Sequence, residues 1–295
     1  MQSLYDIPAP AKLNLFLHIT GQRSDGYHLL QSVFTLIDWA DTLHFDTRPD
    51  GHISREDLTS ALPADDLTTQ AARSLQRATQ CPLGVHIGIA KSVPAQAGMG
   101  GGSSNAASTL LALNRLWRLN LSLESLQSIG LKLGADIPFF LGGRNAWVEG
   151  IGEKIRPVTV PVAQFLVVKP EAGLNTALIF SDPGLKRDTR PAIISSLAVH
   201  ASGYPFNYGQ NDLQNVAQKL CPAVTQALEW LALQGLEGRM TGSGSAVFAH
   251  VPAEKANGDW IGLKKPASIL QIRVCKGLDD HPLLGWAGND GHVSV

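Results

Sequence analysis

The chain is ordered around Pro94-Ala95-Gln96-Ala97-Gly98-Met99-Gly100-Gly101-Gly102-Ser103-Ser104-Asn105-Ala106-Ala107. Glycine fills four of the five positions from 98 to 102, so backbone N–H groups there can close on a ligand with no Cβ in the way. Beyond them, apolar residues at 106, 107, 110, 111, 113 and 117 recur at helical spacing, which predicts a helix from about 104 to 118 with Ser103, Ser104 and Asn105 as candidate caps. Just before Pro94, Val85, Ile87 and Ile89 alternate as a strand does. A helix N-terminus offers unpaired donors and about half a positive charge, so strand, glycine loop and helix in that order make an anion site. Phosphate is the natural guest. A loop that only caps a helix is the bland alternative, and the preceding strand weighs against it.

Two common phosphate loops are excluded. No Gly-Lys dipeptide occurs in the chain, so there is no Walker lysine. The G-x-G-x-x-G fingerprint fails because Ser103 or Asn105 falls where its last glycine is needed.

With 44% hydrophobic and 17% charged content in 295 residues, the chain can bury a substantial core and is expected to divide in two, 1–157 and 158–295. A formal net charge of −1 supplies no basic field for nucleic acid. Cys81, Cys221 and Cys275 are far apart and odd in number, which argues against a disulfide framework or a CxxC metal site and fits the cytoplasm. The start, Met1 to Pro8, does not read as a secretory signal, and no apolar run is long enough to span a bilayer, so no membrane partner is expected. The nine histidines form no H-E-x-x-H pair.

Toward the N-terminus, Leu13, Leu15, Leu17 and Ile19 share one face of a predicted strand, with Lys12, Asn14, Phe16 and His18 on the other. An inward lysine with an asparagine two residues on is unusual in a core, and an edge strand with one wet face would also explain it. Residues 21–28 read as a turn-rich loop ending in Tyr27-His28, a pair able to stack on and hydrogen-bond a planar ligand or simply to anchor the loop. Residues 32–37 and 42–45 predict a hairpin around Asp38-Trp39-Ala40-Asp41, 49–64 a connection, and 65–79 a helix.

Toward the C-terminus, 122–133 reads as a helix closed by Gly134, and Asp136 precedes Pro138 as an N-cap would. Strands are predicted at 146–149 and 164–169, a short helix from Asn175, irregular chain over 181–209, and helices at 211–220, 222–233 and 253–263. Residues 239–245 form a second glycine-serine loop entering a strand. A last strand covers 269–274, and the tail beyond 277 is weakly patterned.

Together, 94–107, Ala11-Lys12-Leu13-Asn14-Leu15 and Thr241-Gly242-Ser243-Gly244-Ser245-Ala246-Val247-Phe248 resemble, in order and spacing, the three motifs of the GHMP kinases. Pro10 to Leu15, Gly26-Tyr27-His28 and Gly134-Ala135-Asp136-Ile137-Pro138-Phe139-Phe140 are similar to the branch that phosphorylates the 2-hydroxyl of a cytidine-diphosphate-linked methylerythritol in the non-mevalonate isoprenoid pathway. The likeness runs from about 9 to about 275; Met99 stands where the family loop commonly has leucine, and the tail from about 278 to 295 has no match.

The resemblance implies a two-domain α+β GHMP kinase fold, with a left-handed βαβ crossover in the N-terminal domain and the active site in the interdomain cleft. It implies that Pro94, Ala95, Gln96, Ala97, Gly98, Met99, Gly100, Gly101, Gly102, Ser103 and Ser104 wrap the phosphates of ATP. Asp136 would be the base facing the substrate hydroxyl, with Lys12 beside it and Asn14 orienting the substrate. Tyr27, His28, Thr176 and Phe180 would surround the cytidine, and Asn211, Asp212 and the 242–245 loop would lie near the cleft. Phosphoryl transfer is mostly positioning and charge neutralisation, so it needs a donor-rich cradle, a cation and a carboxylate. Each has a candidate. Mg²⁺ is expected, held mainly through the phosphates, since no protein ligands for it are evident. Two other readings stay open. A homoserine or mevalonate type of kinase is opposed by the aromatic-imidazole pair at 27–28, and a binding-only relative would be expected to lose Asp136 or Lys12.

Overall fold

The computed structural model describes residues 2–193, 205–260 and 262–288. Two long strands open the chain, β1 (Ser3–Gln22) and β2 (His28–Arg48), paired antiparallel across a tight turn. β2 runs straight through Asp38-Trp39-Ala40-Asp41, so the hairpin expected there is absent. Both aspartates hold distant backbone instead of a turn: Asp38 accepts the Lys276 N–H (2.9 Å), and buried Asp41 accepts those of Ser92 (2.7 Å) and Val93 (2.8 Å).

β3 (Ile53–Asp57) lies inside the stretch expected to be a mere connection. With α1 (Leu67–Thr79) and β4 (Gly84–Ala90) it forms a βαβ unit whose strands are parallel neighbours. Asp66 caps α1 by accepting from the N–H groups of Thr68 and Thr69.

Then come α2 (Gly101–Leu116), α3 (Leu123–Leu131) and α4 (Ile137–Gly142). α2 starts earlier than its apolar periodicity predicts, because Gly100 takes φ 71° at the N-cap position and lets the chain turn at once into the helix. Ser103, Ser104 and Asn105 are therefore inside the helix and do not cap it. α3 ends at Lys132, with Gly134 donating its N–H to the Gly130 carbonyl (3.0 Å) beyond the cap.

The remaining elements are β5 (Ala146–Gly150), β6 (Lys154–Pro157), β7 (Gln164–Pro170), α5 (Thr176–Ser181), α6 (Gln214–Leu220), α7 (Pro222–Leu233), β8 (Gly238–Met240), β9 (Val247–Val251) and β10 (Ile269–Leu278). Among the described residues, ten strands join in one mixed sheet of order β3-β4-β2-β10-β7-β9-β8, with β1 and β5 also on β2 and β6 on β5. The helix expected over 253–263 is only a 3₁₀ turn, Ala253–Lys255, because Asn257-Gly258 breaks it; residue 261 lies outside the described residues. So do 194–204 of the irregular segment and 289–295 of the tail.

Three apolar clusters fill the molecule. One packs α1, α2 and α4 on the sheet, a second packs α6 and α7 on β7 and β9, and a third joins the middle of β1 to Met99, Phe165, Val167 and Phe248. β1 is thus buried on both faces, and the wet-edge explanation for Lys12 and Asn14 fails. The tail is firmly placed as far as it is described: Leu283 enters the first cluster, His281 donates its N–H to Gly143 (2.8 Å) and Gly288 to Leu121 (2.8 Å). No helix of the described residues is long and apolar enough to cross a membrane.

Candidate active site

β1 slips register against β2 between Pro10 and Lys12 and again between Asn14 and Leu17. Such bulges free backbone donors. Here the N–H of Lys12 goes to the Met99 carbonyl (3.0 Å), that of Asn14 to Thr241 Oγ1 (2.9 Å) and that of Leu17 to the Gln210 carbonyl (2.8 Å). The strand carrying Lys12 and Asn14 is thereby stitched to both glycine loops.

The Lys12 Nζ is buried, donates to Asn14 Oδ1 (2.5 Å), lies 4.3 Å over the Phe34 ring and stands 3.7 Å from Asp136 Oδ2. Asn14 Nδ2 is fixed in turn by Ser32 Oγ (2.9 Å). Burial pushes the Lys12 pKa down from its ordinary value, against the charge and hydrogen bonding of Asp136, which push it up. Asp136 occupies the N-cap position of α4 but makes no capping hydrogen bond, because its backbone is already helical (φ −82°, ψ −15°). The carboxylate, 31% exposed, is left for Lys12.

The two glycine loops meet backbone to backbone. A Cβ on Gly98 would come 2.2 Å from the Thr241 carbonyl oxygen, and one on Gly242 2.5 Å from that of Gly98. Ser245 and Ala246 donate their N–H groups to Gln96 and Ala97 (both 3.2 Å). Lys12 abuts this junction, with its Cε 3.4 Å from where a Gly100 Cβ would be.

Every residue from Pro94 to Ser103 lines a cavity of about 590 Å³, together with Lys91, Asn105, Thr176 and Ser243. The first amides of α2 lie on its wall without an intrahelical acceptor. Ser104 does not line it: its Oγ donates to the Pro10 carbonyl (2.6 Å), fastening α2 to β1. A second cavity, about 600 Å³, is lined by Tyr27, His28, Ala177 and Phe180. The rings of His28 and Phe180 are 5.1 Å apart at 36°, while Tyr27 is exposed (61%). Burial and the neighbouring Arg187 both push the His28 pKa down.

Thr176 lies on the first cavity, bonded to Ser243 Oγ (2.6 Å), and so not on the wall shared by Tyr27 and His28. Asn211 and Asp212 brace the scaffold: Asn211 Nδ2 donates to the Met240 and Gly242 carbonyls (both 2.8 Å), and Asp212 Oδ2 accepts the Ile19 N–H (2.7 Å). Sequence reasoning missed the buried ion pair of Asp41 with Lys91, which clamps the start of the glycine loop. The signal was an aspartate amid an apolar alternating run. Asn105, which the sequence offers only as a cap, instead has a buried Oδ1 with no partner among the described residues. Among those residues no cluster of three or more His, Cys, Asp or Glu side chains can hold a metal, and all three cysteines are free.

Residues 66–144 match the family profile described as GHMP kinases N terminal domain, and 199–259 the one described as GHMP kinases C terminal. A 4-diphosphocytidyl-2-C-methyl-D-erythritol kinase of Albidiferax ferrireducens is 69% identical, over 98% of this chain and 98% of that protein. One of Variovorax paradoxus is 61% identical, over 97% of this chain and all (100%) of that protein. The crystal structure of a 4-(cytidine 5'-diphospho)-2C-methyl-D-erythritol kinase superposes with a TM-score of 0.75 at 29% identity, covering 94% of this chain and 99% of that one. On this likeness, which spans nearly its whole length, the chain belongs to the 4-diphosphocytidyl-2-C-methyl-D-erythritol kinase family within the GHMP kinases.

Proposed function

We propose that the chain transfers the γ-phosphoryl group of ATP to the 2-hydroxyl of 4-diphosphocytidyl-2-C-methyl-D-erythritol, giving the 2-phosphate and ADP in the non-mevalonate isoprenoid pathway. The observation that carries the reading is Asp136, a carboxylate at a cap position that makes no cap and lies 3.7 Å from the buried Lys12 ammonium beside the glycine cradle. That arrangement suits a base and a cation at one reacting centre. Pro94 to Ser103 wrap the triphosphate, the residues after Pro94 offering backbone donors, and Asp136 takes the proton as the hydroxyl oxygen attacks the γ-phosphorus and the bond to the β-phosphate oxygen breaks. Lys12 neutralises the developing charge and Asn14 keeps Lys12 in place.

A magnesium ion entering with ATP would be held mainly by the phosphates, with Ser103 and Asn105 of the cavity wall as the protein side chains that could add oxygen ligands. When bound, it neutralises phosphate charge. Tyr27, His28 and Phe180 take the cytosine in the second cavity. The same reading divides the chain near residue 157 and places the reaction in the cytoplasm, in keeping with its unpaired cysteines.

A coupled assay for ADP release over a panel of alcohols tests the proposal. Turnover of the cytidyl substrate far above that of homoserine and mevalonate is expected; comparable turnover of either competitor would overturn it.

A further inference from the structure

The guanidinium of Arg187 reaches four acceptors. Its Nε donates to His28 Nε2 (2.9 Å), Nη1 to the Leu185 carbonyl (2.9 Å), and Nη2 to the carbonyls of Phe180 and Asp182 (both 3.0 Å). The segment bearing it is pinned to the long hairpin, since the Thr189 N–H donates to the Ile19 carbonyl (3.0 Å) and the Ala192 N–H to Gln31 Oε1 (2.7 Å). Gln31 is held in turn by Glu149 (2.7 Å).

A guanidinium donates and cannot accept, and it stays protonated at any working pH. His28 Nε2 must therefore offer a lone pair, and a neutral imidazole with Nε2 as acceptor carries its one proton on Nδ1. Doubly protonated His28 would set two donors head to head beside a fixed positive charge; burial and Arg187 oppose that state too. Nδ1 has no partner among the described residues, and the ring lines the second cavity.

We propose that Arg187 is a specificity-determining positioning residue: it holds His28 in the Nδ1–H tautomer, so that the pocket presents a hydrogen-bond donor to the edge of the bound base. This rests on the reading of that cavity as a cytosine pocket. Cytosine N3 carries a lone pair, whereas uracil N3 carries a proton, so a fixed Nδ1–H donates to the first and meets a second donor in the other. Because Arg187 also grips the Phe180 carbonyl, the stacking ring and the donating ring are both set by one side chain.

The tautomer is read without substrate by ¹⁵N NMR of histidine-labelled wild-type protein near neutral pH, with His28 assigned through His28→Gln. Protonated Nδ1 and lone-pair Nε2 are expected; the reverse tautomer, or a doubly protonated ring, overturns the proposal whether or not any variant folds. Kinetics supply the second arm, as the ratio of kcat/KM for the cytidyl substrate to that for its uridyl analogue. In Arg187→Ala this ratio should fall about tenfold or more, the scale of a mispaired hydrogen bond. Arg187→Lys, which still has a donor for Nε2, should restore much of it. If Arg187 only packs the pocket, both analogues weaken together, the ratio holds and lysine rescues nothing, which refutes the assignment. Failure of the wild type to phosphorylate either alcohol would instead sink the cytosine reading of the cavity and the selectivity with it, while leaving the tautomer to the spectrum.

Discussion

Asp136→Asn keeps the shape of the side chain and removes its charge. No capping hydrogen bond is lost, because none is made, so α4 should persist and Tm should hardly move. The consequence for Lys12 is larger. At 3.7 Å the attraction between the two charges is about 1 kcal/mol in a water-like medium and about 4 kcal/mol at an effective dielectric near 20. A carboxylate 31% exposed beside a lysine 3% exposed falls between those limits. Among the described residues Asp136 is the charge that supports protonated Lys12 against burial, so the variant pushes the Lys12 pKa further below 10.5. The protonated form is present below the folded pKa and lost as pH rises through it, so the alkaline limb of activity should move to lower pH. Loss of the base itself should lower kcat by about 10²–10⁴. ATP binding should stay nearly intact, since Asp136 does not line the phosphate cavity. Coupled ADP release across neutral and alkaline pH, equilibrium ATP binding and thermal melts together check this. Near wild-type turnover in the folded variant refutes the base role, and a kcat loss matched by a large drop in Tm would assign Asp136 to the scaffold.

In Gly98→Ala the new methyl meets the Thr241 carbonyl and the left-handed backbone (φ 72°) alone costs about 1–2 kcal/mol, so Tm and ATP affinity should fall together. An unchanged melt would show that the two loops do not interlock. Tyr27→Ala should leave Tm alone, because the ring is 61% exposed, yet raise KM for the cytidyl substrate by one to two orders of magnitude through loss of about 1–3 kcal/mol of stacking. Parallel rises in KM for ATP would mean that the ring only packs its loop. Buried His281 has its pKa pushed down from 6.5 to about 4, so below 6.5 the unfolded chain takes up a proton that the folded one refuses, and stability falls as pH drops through that window. The gap is worth about 3 kcal/mol. His281→Asn, whose amide oxygen can still accept the Leu283 N–H, should remove most of that acid loss in urea unfolding; an equal loss in both proteins would refute it.

Legibility in the sequence followed the range of the interactions. The glycine cradle, α1 and the placing of Lys12 with Asn14 on one face were readable, because spacing and turn chemistry are local. The hairpin at 38–41 was misread because Asp38 and Asp41 look like turn formers until their donors are known, and those are backbone N–H groups far along the chain, Lys276 for the one and Ser92 and Val93 for the other. Ser104 was misread for a related reason. A serine in a helix's first turn suits a cap or a ligand equally, and only the approach of Pro10 shows that its hydroxyl fastens two elements. Asp136 went the other way: the local pattern favours a cap, and the structure leaves it uncapped beside Lys12.

The selectivity expected of Tyr27 depends on which walls the two cavities share. α5 is six residues long, too short to hold its shape alone, so its place is set by ties at both ends. At its start Thr176 bonds to Ser243 of the second glycine loop, and Asn175 accepts the Ala177 N–H (2.9 Å); near its end Arg187 takes the Phe180 carbonyl. Thr176 lines the first cavity while Ala177 and Phe180 line the second, so one helix borders both. A substitution on α5 therefore cannot separate loss of ATP from loss of the cytidyl group. Tyr27 lies on the hairpin turn and lines only the second cavity, so its removal perturbs one substrate alone, and a selective KM change there locates the base without ambiguity.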